Sequence, residues 1–385
     1  MTPAAVVAAG VATPIGLDLD TFWSALCTGV DGISGIERFR VDDLRVGRGG
    51  EIKKLRAPRD GRLPRCRASA LLTLAADDLL ARAELDADPA RVAVVVGTAL
   101  GGVEEGDRAL AEGGVRVAAS GLYDSPAHTL ARRLRVRGPV VTVSTACASG
   151  ATAMGVGSDL LSAGAADLVV AGGYDVLCRF VMRGFDALRS LTREQVRPFD
   201  RRRSGLLLGE AAALVLMARD ADMSRPRLGR LLGHASSSDG SHIAAPHPEG
   251  RGLEHAVRNA LAAAGVGGDA VDFVSAHGTG TPLNDRIETA VLRRVLGPRA
   301  ASVPVNAIKG ALGHTMGAAA TLEAIMCLLA SRDGVVPGTA GYEEPDPACD
   351  LDVRGTSRAA RPRVSLSTSL GFGGCNAALV LEGTA

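Results

Sequence analysis

The chain has 385 residues, of which 46% are hydrophobic, 22% charged and 3% aromatic, with a formal net charge of +1. These values describe a globular α/β protein with a large core and exclude nucleic-acid binding by bulk charge. No apolar run reaches the roughly 18 residues that a membrane-spanning helix needs, so no membrane segment is expected.

The N-terminal stretch from Met1 to Gly16 is apolar but lacks a charged leader and runs into Pro14, so Ala4 to Ala9 is read as a buried strand rather than a targeting segment. Cysteines lie at 27, 66, 147, 178, 327, 349 and 375, with no CxxC pair, which argues against a structural zinc site. An odd cysteine count without a signal peptide points to a reducing cytoplasm. The basic residues are nearly all arginine, the lysines being Lys53, Lys54 and Lys309.

Short β-branched runs alternate with Ala/Leu-rich helical stretches. Strands are predicted around residues 3–9, 92–96, 140–143, 168–171 and 212–217, and helices around 68–83, 127–134 and 149–162. The scheme then repeats. Strands are predicted around 227–233, 273–276, 364–369 and 377–381, and helices around 253–264, 287–296 and 318–331. The segments at 207–216 and 373–381 echo one another as a turn followed by an apolar strand. This predicts a duplicated unit, residues 1–224 and 225–385, split near Ala221 to Arg227. Residues 38–67 read as a charged excursion over the surface, and 337–352 as a surface loop.

Three separated segments carry the chemistry. Cys147 follows the 140–143 strand and precedes a run of small residues that begins a helix. A sulfur near a helix N-terminus is expected to have its thiolate favoured, and Ala146, Ala148 and Gly150 leave room for a substrate. His277 ends a strand and enters Gly-Thr-Gly-Thr-Pro, a loop able to bring backbone and hydroxyls close to a ligand. His314 lies ahead of a Gly/Ala-rich helix start, a position that disfavours imidazolium, with Lys309 five residues upstream. Near the C-terminus, Gly371-Phe372-Gly373-Gly374 reads as a flexible hinge around one aromatic, able to gate a pocket or to offer a backbone N–H to an oxyanion. Each segment alone also fits an ordinary structural turn. The remaining histidines lack such context, His242 least clearly.

Taken together, Thr145-Ala146-Cys147-Ala148-Ser149-Gly150, His277-Gly278-Thr279-Gly280-Thr281-Pro282 with Asp285, Lys309 with Gly313-His314, and Gly371-Phe372-Gly373-Gly374 resemble the beta-ketoacyl-acyl carrier protein synthases of the thiolase superfamily. Arg197-Pro198-Phe199-Asp200, followed by Gly205 and Gly209-Glu210, is similar to another segment of that family. The resemblance implies the α/β thiolase fold, with two similar βαβαβαββ halves in a five-layer αβαβα sandwich, and decarboxylative Claisen condensation. It implies Cys147 as the acylated nucleophile and His277 and His314 as the pair serving loss of CO₂ and the enolate. Lys309 and Glu323 are implied as supports of that pair. Thr279 and Thr281 are implied as pantetheine contacts, and the N–H groups of Cys147 and Phe372 as the oxyanion hole, with Phe372 also the acyl gate.

The resemblance further implies no cofactor and no metal of the enzyme's own, substrates carried on the phosphopantetheine of an acyl carrier protein, and a homodimer or a heterodimer with a ketosynthase-like subunit. Arg62, Arg65, Arg67, Arg132 and Arg133 are candidate contacts to the acidic carrier. Four departures stand out: Ser204 replaces a usual aspartate, Gly209-Glu210-Ala211-Ala212 a more glycine-rich segment, Leu370 a frequent second phenylalanine, and residues 102–125 look short for the family. Some of these features resemble synthases of aryl polyene and other type II polyketide pathways more than housekeeping fatty-acid synthases. A thiolase or chalcone-synthase-like enzyme and a non-catalytic chain-length-factor-like partner are the alternatives. Cys375 would be the second cysteine of a thiolase, whereas the partner subunit would lack the nucleophile.

Overall fold

The computed structural model describes residues 2–55, 64–112, 119–220 and 227–384. Its first half contributes strands β1 (Ala4–Ala12), β2 (Val92–Gly97), β3 (Val140–Val143), β4 (Leu168–Asp175) and β5 (Ala211–Arg219). Its second half contributes β6 (Gly229–Ser238), β7 (Phe273–Ser275), β8 (Pro304–Asn306), β9 (Val364–Gly371) and β10 (Cys375–Gly383). The first five run in the order β3-β2-β4-β5-β1 and the second five in the order β8-β7-β9-β10-β6, so the two sheets share one topology. Within each sheet four strands run parallel and one, β5 or β10, runs antiparallel to its neighbours. The sheets join edge to edge where Ala4, Ala5 and Val6 pair with Leu231, Arg230 and Gly229. Parallel strands covered on both faces must be apolar throughout, which explains the unbroken Val-Ala-Val-Val-Val run of β2.

The helices, in chain order, are α1 (Leu19–Cys27), α2 (Arg67–Leu80), α3 (Val103–Glu112), α4 (Ser125–Arg133), α5 (Ser149–Ser162), α6 (Arg179–Ala187), α7 (Arg251–Ala264), α8 (Pro282–Leu296) and α9 (Ala319–Asp333). Helices α5 and α9 lie between the two sheets and touch both. Accordingly α9 has no polar face: every residue from Ala319 to Ser331 is buried. Helix α2 covers the outside of the first sheet and α7 the outside of the second, giving five layers. Close approach in the middle layer depends on glycine. A Cβ on Gly150 would lie 2.6 Å from both the Gly317 carbonyl oxygen and the Thr321 hydroxyl.

The chain departs from the sequence reading in several places. Helices α1, α3 and α6 and the short strand β8 are absent from the sequence reading; a three-residue strand is too short to show a period, whereas the three helices are amphipathic and their pattern was overlooked. Arg67 opens a helix rather than closing an excursion. The 337–352 segment is not a plain surface loop: Thr339 and Cys349 are buried, and the Asn306 side chain donates to the carbonyls of Pro337 and Gly338. The expected split near Ala221 lies outside the described residues.

Candidate active site

Strand β3 delivers the chain to a sharp elbow before α5. Ala146 is held at φ 51°, a left-handed conformation uncommon for a residue with a side chain. Ser149 fastens the elbow: its hydroxyl donates to the Ala146 carbonyl at 2.6 Å and accepts from the Thr145 N–H at 2.9 Å. Cys147 sits at the apex, only 6% exposed. The expected lowering of its pKa is reversed. Burial pushes the thiol up to about 11, and the Asp175 carboxylate adds to this, against the opposing pull of the Lys309 charge and of the N–H groups of Phe372 and Cys147. A helix terminus contributes on the order of 1 kcal/mol, less than the cost of placing a thiolate in so dry a site.

His277 follows β7, and its backbone is pinned on both sides. Its N–H donates to Glu288 Oε1 at 2.7 Å, the next N–H, of Gly278, donates to Glu288 Oε2 at 2.9 Å, and its carbonyl accepts from Lys309 Nζ at 2.5 Å. Lys309 also reaches Glu323 Oε1 at 2.5 Å, and both side chains are buried. Lys309 is thus a buried, paired lysine. Burial pushes the Glu323 carboxyl above its ordinary range while Lys309 holds it back. Burial also pushes Glu288 up to about 7.

His314 donates its backbone N–H to the Leu207 carbonyl at 2.7 Å, and its Nδ1 accepts from the Met316 N–H at 3.3 Å. That bond leaves the ring proton on Nε2, which has no partner among the described residues. A single turn of 3-10 helix, Met316–Ala318, separates His314 from α9. The two imidazoles meet edge to face with centroids 5.4 Å apart. Burial, and then the Lys309 charge, hold both well below the ordinary histidine range, so both rings are neutral.

Cys147, His277, His314, Thr279, Thr281 and Phe372 line one cavity of about 280 Å³. The Thr279 and Thr281 hydroxyls are 3.0 Å apart. Asp285 is buried and ties the loop together, accepting from the N–H groups of Phe199 (2.8 Å) and Gly280 (3.2 Å). Leu370 lines the cavity too, and Ser204 bonds Thr192 at 2.7 Å. Phe372 stacks on Phe185 at 5.4 Å. The turn expected to be a free hinge is held: the Gly373 N–H donates to the Ile243 carbonyl at 2.8 Å, and the Gly374 carbonyl accepts from Asp239 N–H at 2.9 Å. Cys375 does not line the cavity.

The candidate docking arginines fare unevenly. Arg67 is partly buried, its Nε donating to Glu210 Oε2 at 2.8 Å and its other nitrogens to the carbonyls of Leu55 and Ile52, so its charge is tied inward rather than presented to a partner. Arg133 is exposed but paired with Asp77 at 2.6 Å. Arg65 and Arg132 are exposed, and Arg62 lies outside the described residues. Among the described residues, no cluster of histidine, cysteine and acidic side chains could hold a metal, and no helix is long and apolar enough to cross a membrane. Glu288, Asp175 and Phe185 escaped the sequence reading. Glu288 alone left a trace, three residues after Asp285 on the helix that follows the His277 loop.

Two family descriptions match consecutive parts of the chain: the beta-ketoacyl synthase N-terminal domain over residues 1–223 and the C-terminal domain over 228–343. The tetracenomycin polyketide synthase ketoacyl synthase alpha subunit of Streptomyces glaucescens is 36% identical over 97% of this chain and 95% of its own length. Among solved structures, the ishigamide ketosynthase/chain length factor is 31% identical with a TM-score of 0.90, covering 100% of both chains. A type II polyketide synthase acyl carrier protein in complex with its ketosynthase bound to the hexaketide is 25% identical with a TM-score of 0.93, again covering 100% of both. The chain belongs to the beta-ketoacyl synthases, a thiolase-fold family of acyltransferases.

Proposed function

We propose that Cys147 carries the growing acyl chain and that the chain condenses it with a malonyl unit on an acyl carrier protein. The observation that carries this reading is the convergence of one buried cysteine and two neutral histidines on a single cavity. In the first half-reaction the Cys147 sulfur attacks the acyl thioester of the carrier. The pantetheine sulfur leaves and takes up the cysteine's proton. The N–H groups of Cys147 and Phe372, which favour negative charge at the sulfur, are the donors for the oxyanion. A thiol pushed up to about 11 reacts slowly with indiscriminate electrophiles, so selectivity rests on a bound, polarised thioester.

In the second half-reaction the malonyl C–C bond to the carboxylate breaks and CO₂ leaves. The electron pair forms an enolate at the thioester oxygen. His277 and His314 donate hydrogen bonds to it, and as neutral rings they do so without trapping the malonyl carboxylate in an ion pair. The enolate carbon attacks the acyl carbonyl on Cys147, and the cysteine sulfur leaves as a thiolate that takes up a proton from solvent to restore the thiol. Lys309 fixes the His277 backbone, Glu323 balances the charge of Lys309, and Asp285 holds the loop bearing Thr279 and Thr281, the contacts for the pantetheine arm. Phe372 is the gate for the acyl chain.

The presence of Cys147, His277 and His314 in one cavity argues against a non-catalytic chain-length-factor role. The similarity to polyketide ketosynthases favours a type II polyketide or related pathway, an acyl carrier protein as partner, no cofactor of its own, and pairing with a second copy or a ketosynthase-like subunit. Residues 1–224 and 225–385 are taken as the two halves, and the cytoplasm as the setting. The test separates the half-reactions. Cys147→Ala should abolish acyl uptake by intact mass, while His277→Ala and His314→Ala should still self-acylate but release CO₂ from malonyl carrier protein orders of magnitude more slowly. Acylation of Cys147→Ala, or undiminished CO₂ release from both histidine variants, would overturn the assignment.

A further inference from the structure

The backbone is strained beside each of the three segments that meet at the cavity. Five described residues other than glycine have positive φ, and three of them flank the site: Ala146 (51°) before Cys147, Met316 (47°) after His314, and Phe199 (62°). The first two lie within two residues of the group they flank. Phe199 comes from the other half of the chain, some eighty residues before His277, in the Arg-Pro-Phe-Asp segment to which no role has yet been given. A bulky aromatic in that region persists only where its surroundings over-determine it.

Those surroundings belong to the second half. Phe199 is fully buried, and among the described residues it is the one member of the first half in the hydrophobic core formed by β7, β9, β10, α7 and α8. Its ring edge lies against Gly278, the residue after His277. A Cβ built on Gly278 would stand 2.9 Å from the ring and 2.4 Å from the Ala307 Cβ, so the glycine is confined between the two. The Phe199 N–H donates to Asp285 Oδ2 at 2.8 Å, while the other oxygen of that carboxylate takes the Gly280 N–H. The Gly205 N–H donates to the Gly280 carbonyl at 3.0 Å. Asp200 completes the attachment, accepting from the N–H groups of Glu343 (2.7 Å) and Glu344 (2.6 Å).

We infer that Phe199 is a positioning residue of the first half that sets the His277–Thr281 loop of the second half against Cys147. The inference rests on the reaction proposed above. Glu288 and Lys309 fix the His277 backbone from the side of its own half, and Phe199 closes the remaining face. The ring does not line the cavity, so it acts through the loop. The ring packs on Gly278, next to His277, whereas the Thr279–Thr281 end of the loop is held by backbone bonds to Asp285 and Gly205 that side-chain variants keep, so the half-reaction that depends on His277 should depend on Phe199 and the attack by Cys147 should not.

The test uses the full-length protein with Phe199→Ala, Phe199→Gly and Phe199→Leu. Glycine relaxes the positive φ and removes the ring, alanine removes the ring alone, and leucine retains most of the volume. Self-acylation of Cys147 is followed by intact mass and CO₂ release from malonyl carrier protein by coupled assay. A loop displaced by roughly 1 Å costs about 10²-fold, so alanine and glycine should both lose about that much CO₂ release and keep acylation within about twofold. Leucine should recover most of the loss, and it carries the same comparison if the smaller variants do not fold. Parallel loss of both half-reactions, or no loss in either, overturns the positioning role. A wild-type protein that releases no CO₂ overturns the proposed function instead, and is read separately from the ratio between half-reactions.

Discussion

Replacing Lys309 by methionine keeps most of the side-chain volume and removes one charge. Its ammonium is buried and bonds Glu323 and the His277 carbonyl, each at 2.5 Å. A solvated lysine in a surface pair would be worth about 0–1 kcal/mol. Removing one partner of a buried pair instead leaves an uncompensated charge and costs about 3–5 kcal/mol, and the burial of both side chains places Lys309 in this second class. The loss should depend on pH. Glu323 already stands above the ordinary carboxylate range, and without Lys309 it rises further. A carboxyl raised in the folded state favours folding below its unfolded value, and that contribution is lost as pH rises through the folded value. The deficit of Lys309→Met should therefore be small near pH 5 and largest near pH 8. Glu323→Gln added to Lys309→Met should restore part of it at pH 8. Urea unfolding of the wild type and the two variants at both pH values measures this. A deficit under 1 kcal/mol at pH 8, or a double variant no more stable than Lys309→Met, would refute the buried-pair reasoning.

Iodoacetamide alkylation of Cys147 in the free protein should keep accelerating through pH 9, as a thiol pushed up to about 11 requires; a plateau below pH 8 would contradict the dominance of burial. Glu288→Gln should lower CO₂ release about tenfold, because one of the N–H groups of His277 and Gly278 then faces an amide donor, a loss of roughly 1–3 kcal/mol. The same variant should flatten the stability profile between pH 4.5 and 7: with its carboxyl raised from 4.5 to about 7, Glu288 favours the folded state below 4.5 and loses that contribution as pH rises through 7. Arg65→Glu with Arg132→Glu should raise KM for carrier-bound substrate and weaken its salt dependence, leaving turnover of a free pantetheine thioester unchanged. Arg67→Glu should instead destabilise the fold, as the partner of buried Glu210.

The three reactive segments were legible because each needs a residue type that strands and helices rarely supply together: a cysteine among small residues, and histidines set in glycine-rich turns. The duplicated topology was legible from the repeated strand–helix alternation. The electrostatics of Cys147 were not. Its local context gives the helix terminus, whereas the burial that outweighs it comes from elements hundreds of residues away. Glu288 and Asp175 were hidden for the same reason, because their partners are backbone groups brought close only by folding; the segment of Phe199 was visible, but its packing on Gly278 and its N–H bond to the Asp285 carboxylate were not. Arg67 looked like surface charge because its partner, Glu210, lies 143 residues further on.

The most direct measurement of the central claim is a single turnover followed by intact mass on both proteins. Cys147 is loaded with an acyl group, excess carrier is removed, and malonyl carrier protein is added. The acyl adduct should leave the enzyme as the carrier loses the malonyl carboxylate and gains the acyl chain, with one CO₂ released for each chain transferred. An adduct that stays on Cys147 while the malonyl carrier remains unchanged would contradict the account.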